Sequence, residues 1–358
     1  MQKFFETYGI ADDVIAAGVS GGADSLALAL RLRECGKRVV ALTVDHGLRP
    51  ESRQEAEFVG RVMRRFDIEH HILTWEGEKP QSGIEETARR KRYELLFGWC
   101  LENGVKTLAV GHHRRDQAET FLLRLQRGSG VDGLSCMLPV TERGGIKIIR
   151  PQLEDDPEEL KNYLRERKVD WAEDASNRCD DFLRVKIRKF LPELEQAVGL
   201  SAQRLAETAA VLARTRAYLH EQTEKFVAAR VRRWEGAAVS VSLEALAALH
   251  PELAFRVLGV LIKEIGGGDY APEAQEVLRL SEQLRVPTFR GCTLGGCEFV
   301  TARRRLWIVP EVRDGRVLSV AEWQKCLQNL PQYAKADLPY KVRRAIYNHL
   351  KKNKNGQE

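Results

Sequence analysis

One short stretch near the amino terminus constrains the fold more than any other part of the chain. Residues 13–19 (DVIAAGV) form an apolar run typical of a buried strand, and residues 24–35 carry four leucines that a sheet would bury. Two glycines lie between them. Glycine allows positive φ and lets backbone N–H groups approach a ligand, and the following helix offers free N–H groups and the positive end of its dipole. The stretch therefore predicts an anion site at a strand-to-helix junction.

The loop sequence narrows the kind of anion. It lacks the lysine of a Walker A loop, and Ser-Gly-Gly-x-Asp-Ser (20–25) resembles the loop of the PP-loop ATP pyrophosphatases. In that family the loop grips the pyrophosphate that leaves when ATP adenylates a substrate. We therefore predict that ATP is bound by Ser20, Gly21, Gly22, Ala23, Asp24 and Ser25. The alternative is an ordinary turn closed by a Ser or Asp cap, which a two-glycine turn by itself would favour.

Strand and helix patterns alternate through residues 1–190. Later strands are predicted at 38–45, 68–75, 105–111 and 147–150. Repeated βα units of this kind predict an α/β fold with a doubly wound, Rossmann-like parallel sheet. From residue 201 the chain turns to helices rich in Ala, Arg and Glu, and then to a β-rich stretch with a Gly295-Gly296 hairpin signal. We predict a PP-loop domain at 1–205, a smaller α+β domain at 206–310 and a C-terminal extension with a basic tail at 311–358.

Polar residues follow three of the predicted strands at their carboxyl ends, where ligands bind in parallel sheets. The first strand leads into the glycine loop, the second into Asp45 and His46, and the fourth into Gly111, His112 and His113. Packing does not explain these residues, because core positions would be apolar. We predict ATP contacts from Asp45 and His46. His112 is predicted as a general acid/base or a neutral hydrogen-bond partner.

Two carboxylates lie just beyond the fourth strand. Asp116 and Glu119 are three residues apart, so a helix places both on one face. With Asp24 and bound phosphates they match what Mg²⁺ requires, and we predict a catalytic magnesium site from these three side chains. Acids in a first helical turn also simply complement the helix dipole, which is the alternative.

Basic residues occur in three groups outside the loop. Arg89 and Arg92 belong to a basic run on a long helix, and Arg184, Lys186 and Arg188 alternate with apolar residues. We predict that these five residues contact a nucleic-acid backbone; the alternative is a solvated face. Arg127 and Gly128 open a Gly-rich loop, for which we predict a phosphate contact, although a long turn is the simpler interpretation.

Composition limits the compartment and the partners. The net charge is +6, and residues 333–358 hold seven Lys and Arg against two acids, which suits a polyanionic partner or a solvated terminus. Seven scattered cysteines without a Cys-x-x-Cys pair indicate a reducing, cytoplasmic location. Cys292 and Cys297 alone do not make a zinc site, which needs four ligands. No apolar run approaches membrane-spanning length, and the amino terminus lacks a signal-peptide pattern.

Several segments together resemble the tRNA(Ile)-lysidine synthetases, a family of PP-loop enzymes. The matching segments are SGGADS (20–25), TVDHGLR (43–49), AR-x-x-RY (88–93), HH-x-x-D-x-x-ET (112–120), RGSG-x-x-GL (127–134), RP-x-L (150–153), D-x-SN (174–177) and TLGGC (293–297). The resemblance implies that ATP adenylates the C2 carbonyl oxygen of the wobble cytidine in a tRNA(Ile) with a CAU anticodon. The ε-amine of L-lysine then displaces AMP, and the second domain holds another part of the tRNA.

The sequence departs from the family pattern at some positions, and other functions are alternatives. Arg115 stands where the family usually has an acid, and Val185 stands where an Arg-Asn pair is usual. The chain also has no room for the third domain of longer members. A PP-loop tRNA thiolase is the nearest rival, although many thiolases use paired cysteines. The other rivals are a non-catalytic tRNA-binding protein with a degenerate ATP fold and an amidating enzyme for a small molecule. The sequence does not fix the oligomeric state and leaves a homodimer open.

Overall fold

The protein divides into two compact units, 1–216 and 217–358. The computed structural model describes residues 1–48, 51–77, 79, 83–172, 183–267, 272–286, 289–312, 317–328, 330–333 and 336–355. Arg49 and the D-x-SN segment at 174–177 lie outside the described residues, and so does Ser82, which begins a capping-box sequence.

The first unit is built on a six-stranded sheet with the order β3-β2-β1-β4-β6-β5. Its strands are β1 (Val14–Gly18), β2 (Arg38–Asp45), β3 (Glu69–Thr74), β4 (Thr107–Val110), β5 (Val140–Arg143) and β6 (Ile146–Ile149). All neighbours pair in parallel except β5 and β6, which form an antiparallel hairpin. The predicted α/β fold with a doubly wound sheet is confirmed. Strand β5 was not predicted; its hairpin turns at Gly144 and Gly145, both of which have positive φ.

Helices cover both faces of this sheet. The helices that begin in the first unit are α1 (Gln2–Tyr8), α2 (Ala23–Glu34), α3 (Ser52–Arg65), α4 (Ile84–Glu102), α5 (Arg114–Gln126), α6 (Val131–Leu134), α7 (Pro157–Glu166), α8 (Leu183–Val198) and α9 (Ala202–Arg230), the last of which runs into the second unit. Alternate strand residues enter different cores: Ala17 packs with α2, α3 and α7, whereas Ala16 packs with α4. Burial on both faces explains why the strands read as continuous apolar runs.

The order of the strands reverses at β1. The chain proceeds from β1 to β2 and β3 on one side, and then returns to place β4 on the other side of β1. A crevice opens at such a switch point, beyond the carboxyl ends of the two central strands. The glycine loop follows β1 and therefore lies at this crevice.

The second unit is built on a five-stranded antiparallel sheet with the order β7-β8-β11-β10-β9. Its strands are β7 (Arg232–Trp234), β8 (Ala238–Ser242), β9 (Cys292–Leu294), β10 (Cys297–Ala302) and β11 (Arg305–Pro310). Its further helices are α10 (Leu243–Ala247), α11 (Pro251–Gly266), α12 (Ala274–Gln283), α13 (Val320–Gln328) and α14 (Tyr340–Asn355). The predicted α+β character and the hairpin at Gly295-Gly296 are confirmed.

The segment after residue 310 packs on this second sheet. Val342 and Ile346 of α14 are fully buried against Trp307 in a core on one face, and α11 and α12 contribute to the core on the other face. Of the basic residues in α14, Lys341 and Arg344 pair with the buried Glu298 of β10. The segment is therefore a layer of the second unit and not the separate extension expected from its charge.

Candidate active site

The glycine loop is held by two serines. The Ser25 hydroxyl donates to the carbonyl of Gly22 (3.0 Å) and accepts from the backbone N–H of Ser20 (3.1 Å). Gly21 has φ +91°, a conformation that favours glycine, and its carbonyl accepts from the N–H of Ala172 (3.0 Å). Gly22 begins α2 without a side-chain cap, so the first N–H groups of α2 keep no side-chain partner there. These groups lie where the sequence predicts an anion site, and they can donate to an anion.

Strand β4 approaches this loop closely through Gly111. A Cβ on Gly111 would lie 3.1 Å from the carbonyl carbon and oxygen of Asp24 and from Cα of Ser25. Backbone atoms cannot move aside as a flexible side chain would. Glycine is therefore needed here so that the ends of β1 and β4 can meet at the switch point.

A cavity of about 340 Å³ opens beside the loop. Its lining includes Gly18, Ser20, Gly22, Asp24, Ser25, His46, Arg89, Arg92, Tyr93, Leu96, Gly111 and His112. A volume of this size lies within the range of small-molecule sites in proteins. Residues from β1, β2, α4 and β4 thus converge on one cavity with cationic, aromatic and backbone donor groups.

His46 contributes an unpaired ring nitrogen to this cavity. Its Nδ1 is buried and has no hydrogen-bond partner, and its ring meets the edge of Trp75 at a centroid distance of 6.0 Å. Burial, together with the charge of Arg92, lowers the pKa of His46 to about 4, so the ring is neutral at pH 7. Asp45 does not line the cavity; its carboxylate accepts from the N–H of Gly47 (3.0 Å) and shapes the turn.

His112 is a second neutral histidine at the cavity. Its Nδ1 is buried without a partner, and burial lowers its pKa to about 4, although nearby Asp116 acts in the opposite direction. Burial by itself would raise the pKa of Asp116, but the neighbouring histidines and Arg184 outweigh it and lower that pKa, so Asp116 is ionised. A neutral ring beside a fixed carboxylate can accept or donate a hydrogen bond without adding charge.

His113 joins the two acids nearest the loop. It caps α5: its Nδ1 accepts from the N–H of Asp116 (3.4 Å), and its own N–H donates to the Asp116 carboxylate (3.1 Å). Its Nε2 faces Asp24 at 3.5 Å. Burial by itself would lower the pKa of His113, but the contacts with Asp24 and Asp116 raise it.

Glu119 is completely buried and neutralised by two arginines of α8. Arg184 Nε donates to its Oε2 (2.7 Å), and Arg188 Nε donates to its Oε1 (2.6 Å). Arg184 also reaches Asp116 (3.2 Å). Both oxygens of Glu119 are therefore occupied by guanidinium groups, which leaves this carboxylate poorly suited to be the predicted magnesium ligand.

Comparison with known proteins shows the family of the chain. A family model described as a PP-loop domain matches residues 1–194. The tRNA(Ile)-lysidine synthase of Ruegeria pomeroyi is 38% identical over 313 residues, which cover 86% of this chain and 74% of that protein. The tRNA(Ile)-lysidine synthase of Hyphomonas neptunium is 36% identical over 342 residues, which cover 89% of this chain and 88% of that protein. The chain belongs to the tRNA(Ile)-lysidine synthase family.

Family membership places the chain among enzymes of the ATP-dependent ligase type, and its PP-loop domain takes ATP as a substrate. Among solved structures, the U34-tRNA thiolase NcsA from Methanococcus maripaludis with its 4Fe–4S cluster matches with a TM-score of 0.50 at 18% identity, covering 60% of this chain and 77% of that chain. At that identity the likeness shows the shared fold alone.

The structure separates residues that the sequence grouped together. Arg184 and Arg188 lie one turn apart on α8 and face Glu119, whereas Lys186 is exposed elsewhere on the same helix. The predicted single basic row is therefore wrong, because alternation in sequence aligns side chains in a strand and not in a helix. The two arginines instead belong to an acidic centre formed by Asp116 and Glu119: both pair with Glu119, and Arg184 also pairs with Asp116.

Other predicted contacts lie away from the cavity. Arg127 and Gly128 follow the far end of α5 and do not line it; Gly128 has φ +69° and forms a tight turn into α6. The location of these two residues away from the cavity favours the simpler interpretation of a turn. Conversely, Arg89 and Arg92, predicted to contact nucleic acid, line the cavity itself.

The described part of the chain contains no group of three His, Cys, Asp or Glu side chains placed to hold a metal ion. Burial raises the pKa of the Cys297 thiol to about 12, and it also raises that of Cys292, so neither is a thiolate ligand at neutral pH. Among the helices that the structure describes, none is both long and apolar enough to cross a membrane.

Proposed function

We propose that this enzyme attaches L-lysine to C2 of the wobble cytidine in tRNA(Ile) with a CAU anticodon, with ATP converted to AMP and diphosphate. The proposal rests on one observation: an intact PP-loop and two neutral histidines share a cavity in a chain of the lysidine synthase family. The product, lysidine, pairs with A and changes codon specificity to AUA.

The loop carries the first half of the reaction. The cytosine O2 attacks the α-phosphate of ATP, and the bond to the pyrophosphate breaks. The N–H groups of Gly22 and the start of α2 stabilise the charge that develops on the departing pyrophosphate. Arg89 and Arg92, at the wall of the cavity, supply further positive charge. Exposed Arg90 on the same helix suits the tRNA backbone instead, whereas half-buried Lys91 pairs with Glu94 (2.7 Å).

In this proposal, Asp24 is the first candidate to bind Mg²⁺. Mg²⁺ is usually held by one or two carboxylates together with substrate phosphates. Asp24 fits, because its carboxylate lines the cavity and is partly exposed. Asp116 is the second candidate, because its Oδ2 lies 3.6 Å from the same His113 Nε2 that faces Asp24. The bound ion would neutralise charge on the phosphates.

The acidic centre carries the second half. The ε-amine of lysine attacks C2 of the activated cytosine, the C2–O bond breaks so that AMP leaves, and the proton that the amine loses passes to water. His112 is neutral at pH 7 and can accept a hydrogen bond from that amine, while ionised Asp116 attracts the incoming ammonium. Arg184 and Arg188 hold the carboxylates in place, and Lys186 remains free to face the tRNA.

Two rival functions are weaker. A tRNA thiolase shares the fold, but burial raises the pKa of Cys100 and of Cys136 to about 11, so neither is an activated thiol. A non-catalytic tRNA-binding protein would not need the Ser20–Ser25 geometry or the buried Glu119. Release of AMP with lysine transfer therefore discriminates among the three.

The test uses the purified chain, ATP, labelled lysine and tRNA transcripts that differ only at the wobble base. Label should enter the cytidine transcript alone, and Asp24→Ala should abolish pyrophosphate release while tRNA affinity stays within about twofold. Glu57→Ala, on the exposed face of α3, is the matched control. Label on the uridine transcript, or an Asp24 variant of normal rate, contradicts the proposal.

The homodimer and the cytoplasmic location remain predictions. Sedimentation measurements test the first, and cell fractionation tests the second.

A further inference from the structure

His113 has two separate connections, one to its own helix and one to the nucleotide loop. Its ring is 7% exposed. On one side, Nδ1 accepts from the N–H of Asp116, as a cap does at the start of a helix. On the other side, Nε2 lies 3.5 Å from Oδ2 of Asp24 and 3.6 Å from Oδ2 of Asp116.

The hydrogen bond that Nδ1 accepts determines which ring nitrogen of His113 carries the proton. Because Nδ1 accepts a hydrogen from the backbone, the ring proton of the neutral tautomer belongs on Nε2. That N–H then lies near the carboxylates of both Asp24 and Asp116. Asp24 stands in the first turn of α2, directly after the loop, and His113 Nε2 is the nearest side-chain nitrogen to its carboxylate among the contacts that the described residues make.

The neighbouring backbone allows this arrangement. Gly111 lets the end of β4 approach the backbone of Asp24 and Ser25. Two residues later, the chain places the His113 ring beside the Asp24 side chain. A histidine donor that orients a carboxylate facing a ligand is a familiar arrangement around metal and phosphate sites, where its loss typically costs 10–100-fold in affinity or activity.

We propose that His113 is a positioning residue that orients the Asp24 carboxylate toward the triphosphate, in addition to capping α5. This inference rests on the proposed function, because it requires that bound ATP lies next to Asp24. His113 touches neither cytosine nor lysine in this arrangement. Its loss should therefore weaken the ATP-dependent step and leave tRNA binding unchanged.

Three substitutions separate the two connections. Asparagine places its Oδ1 near the position of the histidine Nδ1, so His113→Asn keeps the cap and removes the donor to Asp24. Glutamine reaches the position of Nε2 with an amide N–H, so His113→Gln keeps the donor and weakens the cap. His113→Ala removes both.

The measurements are the melting temperature, the dissociation constant of ATP in the presence of Mg²⁺, and the rate of pyrophosphate exchange. His113→Asn should melt within about 1 °C of the wild type, yet bind ATP or exchange pyrophosphate roughly 10-fold or more less well. His113→Gln should melt lower but recover most of the exchange rate. In an Asp24→Asn background, His113→Asn should change ATP affinity by less than about twofold, because the group it positions is gone.

A normal ATP affinity and exchange rate in His113→Asn would reduce His113 to a helix cap. An undiminished effect of His113→Asn in the Asp24→Asn background would show that it acts by another route. These outcomes are separate from failure of the proposed function, since wild-type lysine transfer is scored independently. ATP affinity reports on His113 even if the acceptor is not the wobble cytidine.

Discussion

Replacing Glu119 by glutamine removes one charge from the most enclosed ion cluster of the first unit. The Glu119 carboxylate is fully buried and accepts three hydrogen bonds from two guanidinium groups, at 2.7, 2.6 and 3.2 Å. In Glu119→Gln one oxygen becomes an NH₂ group that faces an arginine donor. The two guanidinium groups then lose the carboxylate that they share.

The structure sets the size of the effect. Breaking a buried ion pair by removing one partner costs about 3–5 kcal/mol. Here the side chains of Arg184 and Arg188 are 40% and 33% exposed, so water stabilises part of the freed charge. We therefore expect a loss of about 2–3 kcal/mol in the free energy of unfolding. For a unit of this size, that corresponds to a decrease of about 4–12 °C in melting temperature.

Thermal unfolding at pH 7, followed by circular dichroism, measures this decrease. The matched control is Glu57→Gln in α3, whose partner Arg53 and whose own side chain are more than half exposed. That variant should lose less than about 0.5 kcal/mol. The double variant Glu119→Gln/Arg188→Gln should be less destabilised than the sum of its single variants, by about 0.5–3 kcal/mol.

The reasoning fails if Glu119→Gln melts within 1 °C of the wild type. It also fails if the two single effects add without coupling, because the pair would then not interact. A decrease of the expected size in the Glu57 variant would show that the assay responds to charge in general.

The remaining predictions concern the sheet, the loop and the histidines. Thr43→Val should destabilise the first unit by about 1–3 kcal/mol in urea unfolding, because the Thr43 hydroxyl accepts from His70 (2.9 Å) and donates to a main-chain carbonyl (2.7 Å); a loss below 0.5 kcal/mol would contradict it. Gly111→Ala should cost about 1–3 kcal/mol and weaken ATP binding in titration calorimetry, since its Cβ meets the backbone of α2 at 3.1 Å, whereas Gly98→Ala, with no atom within 4 Å, should do neither. Burial lowers the pKa of His46 and of His70 from 6.5 to about 4, so the unfolded state binds more protons between these values. The free energy of unfolding should therefore fall as pH drops from 6.5 to 4, by up to about 1.4 kcal/mol per pH unit for each histidine, and a flat profile would refute these pKa shifts.

The sequence predicts the parts of the site that depend on local patterns. The glycine loop, the strand that precedes it and the helix that follows all obey short-range rules, and Ser20 and His46 reach the cavity as expected. Strand ends are predictable too, because parallel strands share one carboxyl edge. The sequence therefore predicts that His112 lies at this edge.

Long-range pairing is less predictable. Arg184 and Arg188 appear in sequence as part of a basic row, and only the position of α8 against α5 shows that they face Glu119. The charge of α14 likewise obscured its apolar face, on which Val342 and Ile346 reach the core of the second sheet. A partner that lies far along the chain leaves no local signal.

The distance along the chain between Glu119 and its arginines has a consequence for synthesis. The loop and every strand of the first sheet leave the ribosome before α8, which begins at Leu183. Until that helix docks, the Glu119 side chain lacks the two guanidinium groups that hold it and must remain hydrated. A nascent chain that ends near residue 172 would thus already contain the glycine loop and every strand of the first sheet. Its Glu119 would still lack Arg184 and Arg188, which have not yet been translated.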